Sequence, residues 1–200
     1  MRIASHKSTT PRAPQRQRGR KRVAALIAAG AKVFGEKGFD GATMTEIAAR
    51  AGAPIGSLYQ FFPTKETIAD AVHAAAGDTL LAILQKEAGA IGGLAPDRVV
   101  DRLYDAFFAF LRDNPAFVTL AGLPPDPGKN ERRAAMRSAL ADLLTGMTPP
   151  KSRPEAERLA VLVLHLMRVA VAISSEPDLP DRNAIMGDLR AMLRRLLGAT

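Results

Sequence analysis

Within residues 43–65 stand a threonine, a serine, a tyrosine, a glutamine and a lysine: Thr43, Ser57, Tyr59, Gln60 and Lys65. These side chains are hydrogen-bond donors with one positive charge among them. A hydroxyl, a phenol or an ammonium suits a phosphate oxygen, and a carboxamide can bond either a phosphate or an adenine edge. Gly56 and Ser57 are small, so the backbone there can come close to a polyanion. Lys65 opens a further helix, where a cation would add to the exposed amides.

Two short helices must position these groups. Thr43 can cap the first, with Glu46 three residues on completing a reciprocal capping box. Ile47 and Ala51 point inward at i, i+4, and Ala48 is small where a second helix must approach. Gly52 sits where the chain reverses and a positive φ is needed. Leu58 and Phe61 are expected to return to the same core at i, i+3. Pro54 suits an early helical position. This is helix-turn-helix spacing, in which the second helix enters the major groove of DNA and presents its first turn to the bases. The competing interpretation is an αα-hairpin that only packs, with Tyr59 half-buried. For Thr45 and Arg50 the competing interpretation is a solvated helix face.

The charge pattern fits a polyanion partner. The 200 residues carry 28 Lys and Arg against 20 Asp and Glu, a net charge of +8. Residues 1–22 hold Arg2, Lys7, Arg12, Arg16, Arg18, Arg20, Lys21 and Arg22 with no acid, so the whole excess belongs to this segment. Its Ser, Thr, Pro and Gln content predicts an unfolded arm. Such an arm can meet nucleic-acid phosphates or merely solvate the terminus. Pro11 and Pro14 argue against an amphipathic presequence. Leu159 to Ile173, the longest apolar run, contains His165 and Arg168 and is too short to span a bilayer, so no membrane partner is expected.

Other chemistries find little support. There is no cysteine, which excludes disulfides and thiolate sites and agrees with a cytoplasmic location. His6, His73 and His165 lie too far apart in sequence for a helical metal pair, so neither metal nor cofactor is expected. No phosphate-binding P-loop, dinucleotide fingerprint or nucleophile elbow occurs, and Glu155 and Glu157 at i, i+2 face apart. An enzyme is not expected.

Helical periodicity runs through the rest of the chain, and strand signals are nearly absent. A first helix shows Val23, Leu26, Ile27, Ala31 and Phe34 on one face and should end around Gly35–Gly38. Helices are expected near 43–50, 54–60, 65–76 and 77–91, then from Pro96 to Asn114. Pro124 to Gly128 reads as a loop, followed by helices near 130–146, 153–175 and 182–197. Ser152 with Glu155 predicts a capping box for the penultimate one. The expectation is an all-α fold of about nine helices: a basic tail (1–17), a three-helix helix-turn-helix domain (18–76) and a larger helical domain (77–200).

From about Arg18 to Val72 the sequence resembles the N-terminal domain of the tetracycline-repressor (TetR) family of bacterial regulators. The resemblance rests on Ala29, Phe34, Gly38 and Phe39, on Thr43-Met44, Ile47-Ala48 and Ala51-Gly52, and on Gly56-Ser57-Leu58-Tyr59, Phe62 and Lys65-Glu66. It implies phosphate contacts from Thr43, Ser57, Tyr59 and Lys65, and base reading near Ile55, Gly56 and Gln60. Thr45 joins this DNA-binding set. Phe61 departs from the family, which usually has His or Tyr there, and Ala53 replaces a common Val.

The resemblance also implies a C-terminal ligand-binding and dimerisation domain. Leu159–Ile173 is apolar nearly all round, and Ile185, Leu189, Met192, Leu193 and Leu196 stripe the last helix. Leu162, Leu166, Val169, Ile173, Leu189, Met192, Leu193 and Leu196 are therefore expected at a homodimer interface. The alternative is that both helices pack within one chain. A ligand pocket would be lined by Tyr104, Phe107, Phe108, Phe110, Phe117, Met136 and Met167, with His165 as a buried polar group. The alternative for each of these is ordinary core. The expected function is a homodimeric, sequence-specific regulator on a double-stranded DNA operator, a repressor released by a small, largely apolar inducer. A ligand-independent or partner-controlled regulator, or an architectural DNA-binding protein, is the alternative.

Overall fold

The computed structural model describes residues 13–123, 129–176 and 178–198. Most of the expected basic arm (residues 1–12) and the expected loop at 124–128 lie outside them. The described residues form nine helices: α1 (Ala13–Gly41), α2 (Met44–Arg50), α3 (Ile55–Phe61), α4 (Lys65–Ala90), α5 (Pro96–Asp113), α6 (Pro115–Thr119), α7 (Lys129–Thr145), α8 (Arg153–Ser175) and α9 (Arg182–Leu197). No strand occurs among them.

Three departures from the sequence-based expectation concern function. Helix α1 starts at Ala13, so the last residues assigned to the tail are helical; its regular part breaks at Gly38, whose φ is 69°. Helix α4 is a single helix where two were expected, so the proposed boundary between residues 76 and 77 falls inside a rigid rod. At that point Gly77 lets Arg132 cross, since a Cβ would lie 2.6 Å from Arg132 Cδ. Finally, α6 was not anticipated, because a five-residue helix offers too little periodicity to read.

Helix α6 joins the two apolar cores. Ala116 and Leu120 are buried in the head core with Leu26, Phe34, Ile47, Leu58 and Ile68. Phe117 packs on the second core, built mainly from α4, α5, α7, α8 and α9. Pro115 closes on Gly35, where a Cβ would sit 2.9 Å from Pro115 Cγ. Thr119 Oγ1 donates to Phe34 O at 3.2 Å.

At the start of α8 the expected capping box is not formed. Ser152 makes no side-chain cap bond, and Glu155 pairs with Lys151 at 3.1 Å. Helices α4 and α8 are long and apolar enough, by length and composition, to cross a membrane. Helix α4 buries Ile68 to Val72 in the head core and Ala76 to Leu84 in the second core, and α8 buries Ala156 to Val171 in the second.

Candidate nucleic-acid interface

The reading head is built on local rules that hold in detail. Thr43 caps α2: Glu46 N donates to Thr43 Oγ1 at 3.2 Å, and Thr43 N returns a bond to Glu46 Oε2 at 3.2 Å. Gly52 takes φ 60°, a conformation that disfavours any Cβ, so α2 reverses into α3. Ile47, Ala48 and Leu58 close the corner and are fully or nearly fully buried. Phe61 does not join them. It is 37% exposed, and Phe62 takes the core position. From Leu58 both i+3 and i+4 suit a helix, and the extended C-cap at Phe62 turns the later ring inward.

The exposed side of α3 carries Ile55, Gly56, Tyr59 and Gln60, with Ser57 half-buried at its edge. Thr45 is exposed on α2. Two other expected phosphate ligands are already engaged. Thr43 Oγ1 accepts from Glu46 N and donates to Glu46 Oε2 at 2.9 Å. Lys65 Nζ donates to Ala42 O at 3.2 Å and Asp40 O at 3.3 Å, and lies 4.5 Å from the centre of the Phe39 ring. The side chain not foreseen at this surface is Arg22, whose Nη1 donates to Ser57 Oγ at 3.2 Å. Arg18 and Arg22 stand one turn apart on α1, and that spacing was readable once the helix was known to begin at Ala13.

Other charges of the head pair among themselves. Lys37 bonds Glu46 and Arg50 bonds Glu36. The Arg50 hydrogen bond draws the Glu36 carboxyl below its ordinary range. Those from Lys37 and then Thr43 do the same to Glu46. These two acids thus neutralise Lys37 and Arg50, while the basic start of α1 has no such pairing among the described residues.

The model for bacterial regulatory proteins of the tetR family matches residues 26–72, and that for the tetracyclin repressor-like C-terminal domain matches residues 96–197. This chain belongs to the tetR family. A TetR-family transcriptional regulator from Streptomyces coelicolor is similar at 21% identity, with a TM-score of 0.69 and coverage of 90% of this chain and 97% of that one. FadR from Bacillus subtilis in complex with stearoyl-CoA is similar at 16% identity and TM-score 0.65, covering 88% and 98%. TetR-Q116A from Acinetobacter baumannii AYE in complex with minocycline is similar at 18% identity and TM-score 0.57, covering 86% and 92%. No curated protein matches the chain. The chain is thus a DNA-binding transcription regulator with an N-terminal helix-turn-helix and a C-terminal helical domain.

In this tetR-family regulator a cleft lies between α5, α8 and α9. Of the aromatic and Met side chains expected at a pocket, Tyr104, Phe107, Phe108 and Met167 line it, with Leu189 and Leu193 beside them. Burial pushes the Tyr104 phenol up, and its hydroxyl donates to Met186 O at 3.2 Å. Phe110 and Met136 are buried elsewhere in the core, and Phe117 stacks on His73 at 4.7 Å between ring centres; none of the three lines the cleft. His165, expected inside, is exposed, and its Nδ1 lies 2.7 Å from Val161 O. It falls on the outer side of α8 because Val163 and Met167 take the inward positions.

The outer side of α8 and α9 is apolar. Leu162 is 48% exposed, Val169 47% and Met192 54%, with Leu166, Ile173 and Leu196 half-buried at its edges. Leu189 departs from the expectation: it is buried and lines the cleft, as the partly buried Leu166 and Leu193 also do.

Proposed function

We propose that this regulator works in the cytoplasm as a homodimeric repressor, holding a palindromic operator until a small, largely apolar ligand releases it. The observation that carries the reading is the combination of a polar, exposed face on α3 with an unpartnered apolar face on α8 and α9. A contiguous apolar patch of Leu162, Val169 and Met192 calls for a cover. A two-fold partner would bury it and set two reading helices on successive major grooves of a palindrome. Base reading is assigned to Ile55, Gly56 and Gln60, and phosphate contact to Ser57 and Tyr59.

The ligand reading rests on the cleft. Its lining is almost wholly hydrocarbon, and its one phenol is already bonded, so an uncharged apolar molecule suits it. The cleft encloses about 30 Å³ of free space, roughly one water's share of liquid volume, whereas ligand pockets run to several hundred. Entry must therefore displace α5 or α9. A displaced α5 would act through Phe110, which packs edge-on against Phe117 at 5.1 Å, and so on α6 and the head core. A ligand that binds this opened state more tightly than the closed one shifts the population away from DNA. Complexes of similar proteins with stearoyl-CoA and with minocycline support a small-molecule ligand.

The test is fluorescence anisotropy of the full chain on duplexes flanking its own gene. Salt-sensitive, sequence-selective binding is expected, and its absence at every concentration would overturn the reading. The tight cleft favours one alternative, a ligand-independent or partner-controlled regulator or architectural protein. Thermal-shift screening against apolar metabolites separates the two: stabilisation supports the inducible repressor, and intact DNA binding with no stabilisation supports the alternative.

A further inference from the structure

The cations of the head fall into two sets. Lys37 and Arg50 are paired with carboxylates, and Lys65 is held by two backbone carbonyls and a phenyl ring. Arg22 is exposed and pairs with no carboxylate among the described residues. Its Nη1 donates instead to a neutral hydroxyl, Ser57 Oγ, at 3.2 Å across 35 residues of sequence.

A guanidinium has five N–H donors and a charge that persists at every relevant pH. One bond to a hydroxyl leaves most of those donors and the whole charge unsatisfied. The same bond orients the hydroxyl. Ser57 Oγ accepts from Arg22, which leaves its own proton free for a further acceptor beside the guanidinium. Two donors, one cationic and forked, thus converge at the edge of the reading helix. That geometry matches a phosphodiester, whose two free oxygens accept a fork and a hydroxyl together. Arg18, one turn before Arg22 and also exposed, extends the positive surface along α1.

Lys65 does different work. Its bonds to Asp40 O and Ala42 O and its place over Phe39 tie the start of α4 to the exit of α1, immediately before the Thr43 cap. Both acceptors are neutral, so the Lys65 ammonium keeps its charge and one N–H while it holds this corner.

We propose that Arg22, on the first helix and outside the helix-turn-helix itself, grips a phosphate of the duplex jointly with Ser57, while Lys65 in addition holds the α1–α2 corner. This rests on the DNA-binding reading and names its phosphate ligands. It also gives α1 a part in recognition: the helix that carries Arg22 fixes how α3 sits over the groove.

The experiment is a salt titration of operator binding by anisotropy, paired with thermal melting, on the full-length wild-type protein, Arg22→Ala, Arg22→Gln, Arg22→Lys and Lys65→Met. Loss of one phosphate contact lowers the slope of log affinity against log salt by about one. Arg22→Ala and Arg22→Gln are expected to lose that slope and roughly tenfold in affinity at low salt, without a change in Tm. Arg22→Lys should keep the slope but recover only part of the affinity, because an ammonium lacks the fork. Lys65→Met should lower Tm, because it also unties the corner, which separates it from the Arg22 variants. The proposal is overturned if both neutral Arg22 variants keep the wild-type slope, or if they lower Tm as Lys65→Met does. A wild-type protein with no salt-sensitive duplex binding would instead sink the DNA-binding reading itself.

Discussion

The head and the C-terminal bundle are both helices packed around an apolar core, yet they leave opposite surfaces bare. The head exposes hydroxyls, an amide and basic side chains around α3, and two of its acids neutralise Lys37 and Arg50. The bundle exposes Leu162, Val169 and Met192 on α8 and α9, while one of its ion-pair clusters ties α5 to α9: Asp101 Oδ1 accepts from Arg190 at 2.6 Å and from Arg194 at 2.6 Å. The difference teaches how partners are sorted. Directional donors suit a charged, hydrated partner, and a bare apolar stripe suits another protein surface.

Replacing an apolar residue on the bundle face should break this contrast most sharply. Leu162→Glu puts a charge where a second copy would pack. The dimer is expected to become monomeric at micromolar concentration, with operator affinity falling by roughly a hundredfold or more, since two linked half-sites become one. Sedimentation and anisotropy read the two effects. A Leu162→Glu protein that remains dimeric would remove the apolar face from the dimer interface.

A smaller effect is expected from the bundle's ion cluster. The hydrogen bonds of Arg194 and then Arg190 hold the Asp101 carboxyl below its ordinary value of 3.8. Because the folded value is the lower one, the stabilisation is present above the unfolded value and is lost as pH falls through the folded one. Asp101→Asn should therefore melt earlier than wild type at pH 7, by about 1 kcal/mol for a partly exposed cluster. The two melting curves should converge as the pH drops below about 4. A gap that persists at lower pH would assign the loss to packing rather than charge.

The smallest change concerns the basic arm, in contrast with Arg22. Deleting residues 1–12, which removes Arg2, Lys7 and Arg12, should weaken operator binding severalfold and flatten the salt slope. The preferred operator should not change, because phosphate attraction is sequence-independent. Competition between operator and scrambled duplexes checks this. A shift in preference would mean that the arm reads sequence.

Much of the head was legible because its signals are local. Thr43 with Glu46, Gly52 at the reversal, and Ile47, Ala48 and Leu58 each act within a few residues, and each appears as read. Single-helix periodicity could not choose between Phe61 and Phe62, since both spacings suit a buried face. In the bundle, spacing located α7, α8 and α9 but left their orientation open. Leu189 was therefore assigned to the outside and His165 to the inside, the reverse of what packing selects.

What the amino-acid order determined by itself is the all-helical class and most of its helices, the helix-turn-helix corner and the concentration of positive charge near residue 22. These follow from caps, backbone sterics and composition, all short-range. Only the tertiary structure decided that Lys65 closes on Asp40 and Ala42, that Arg22 reaches Ser57, and that α6 belongs to both cores. Those contacts join residues tens of positions apart, and a side chain's partner there depends on how whole helices cross.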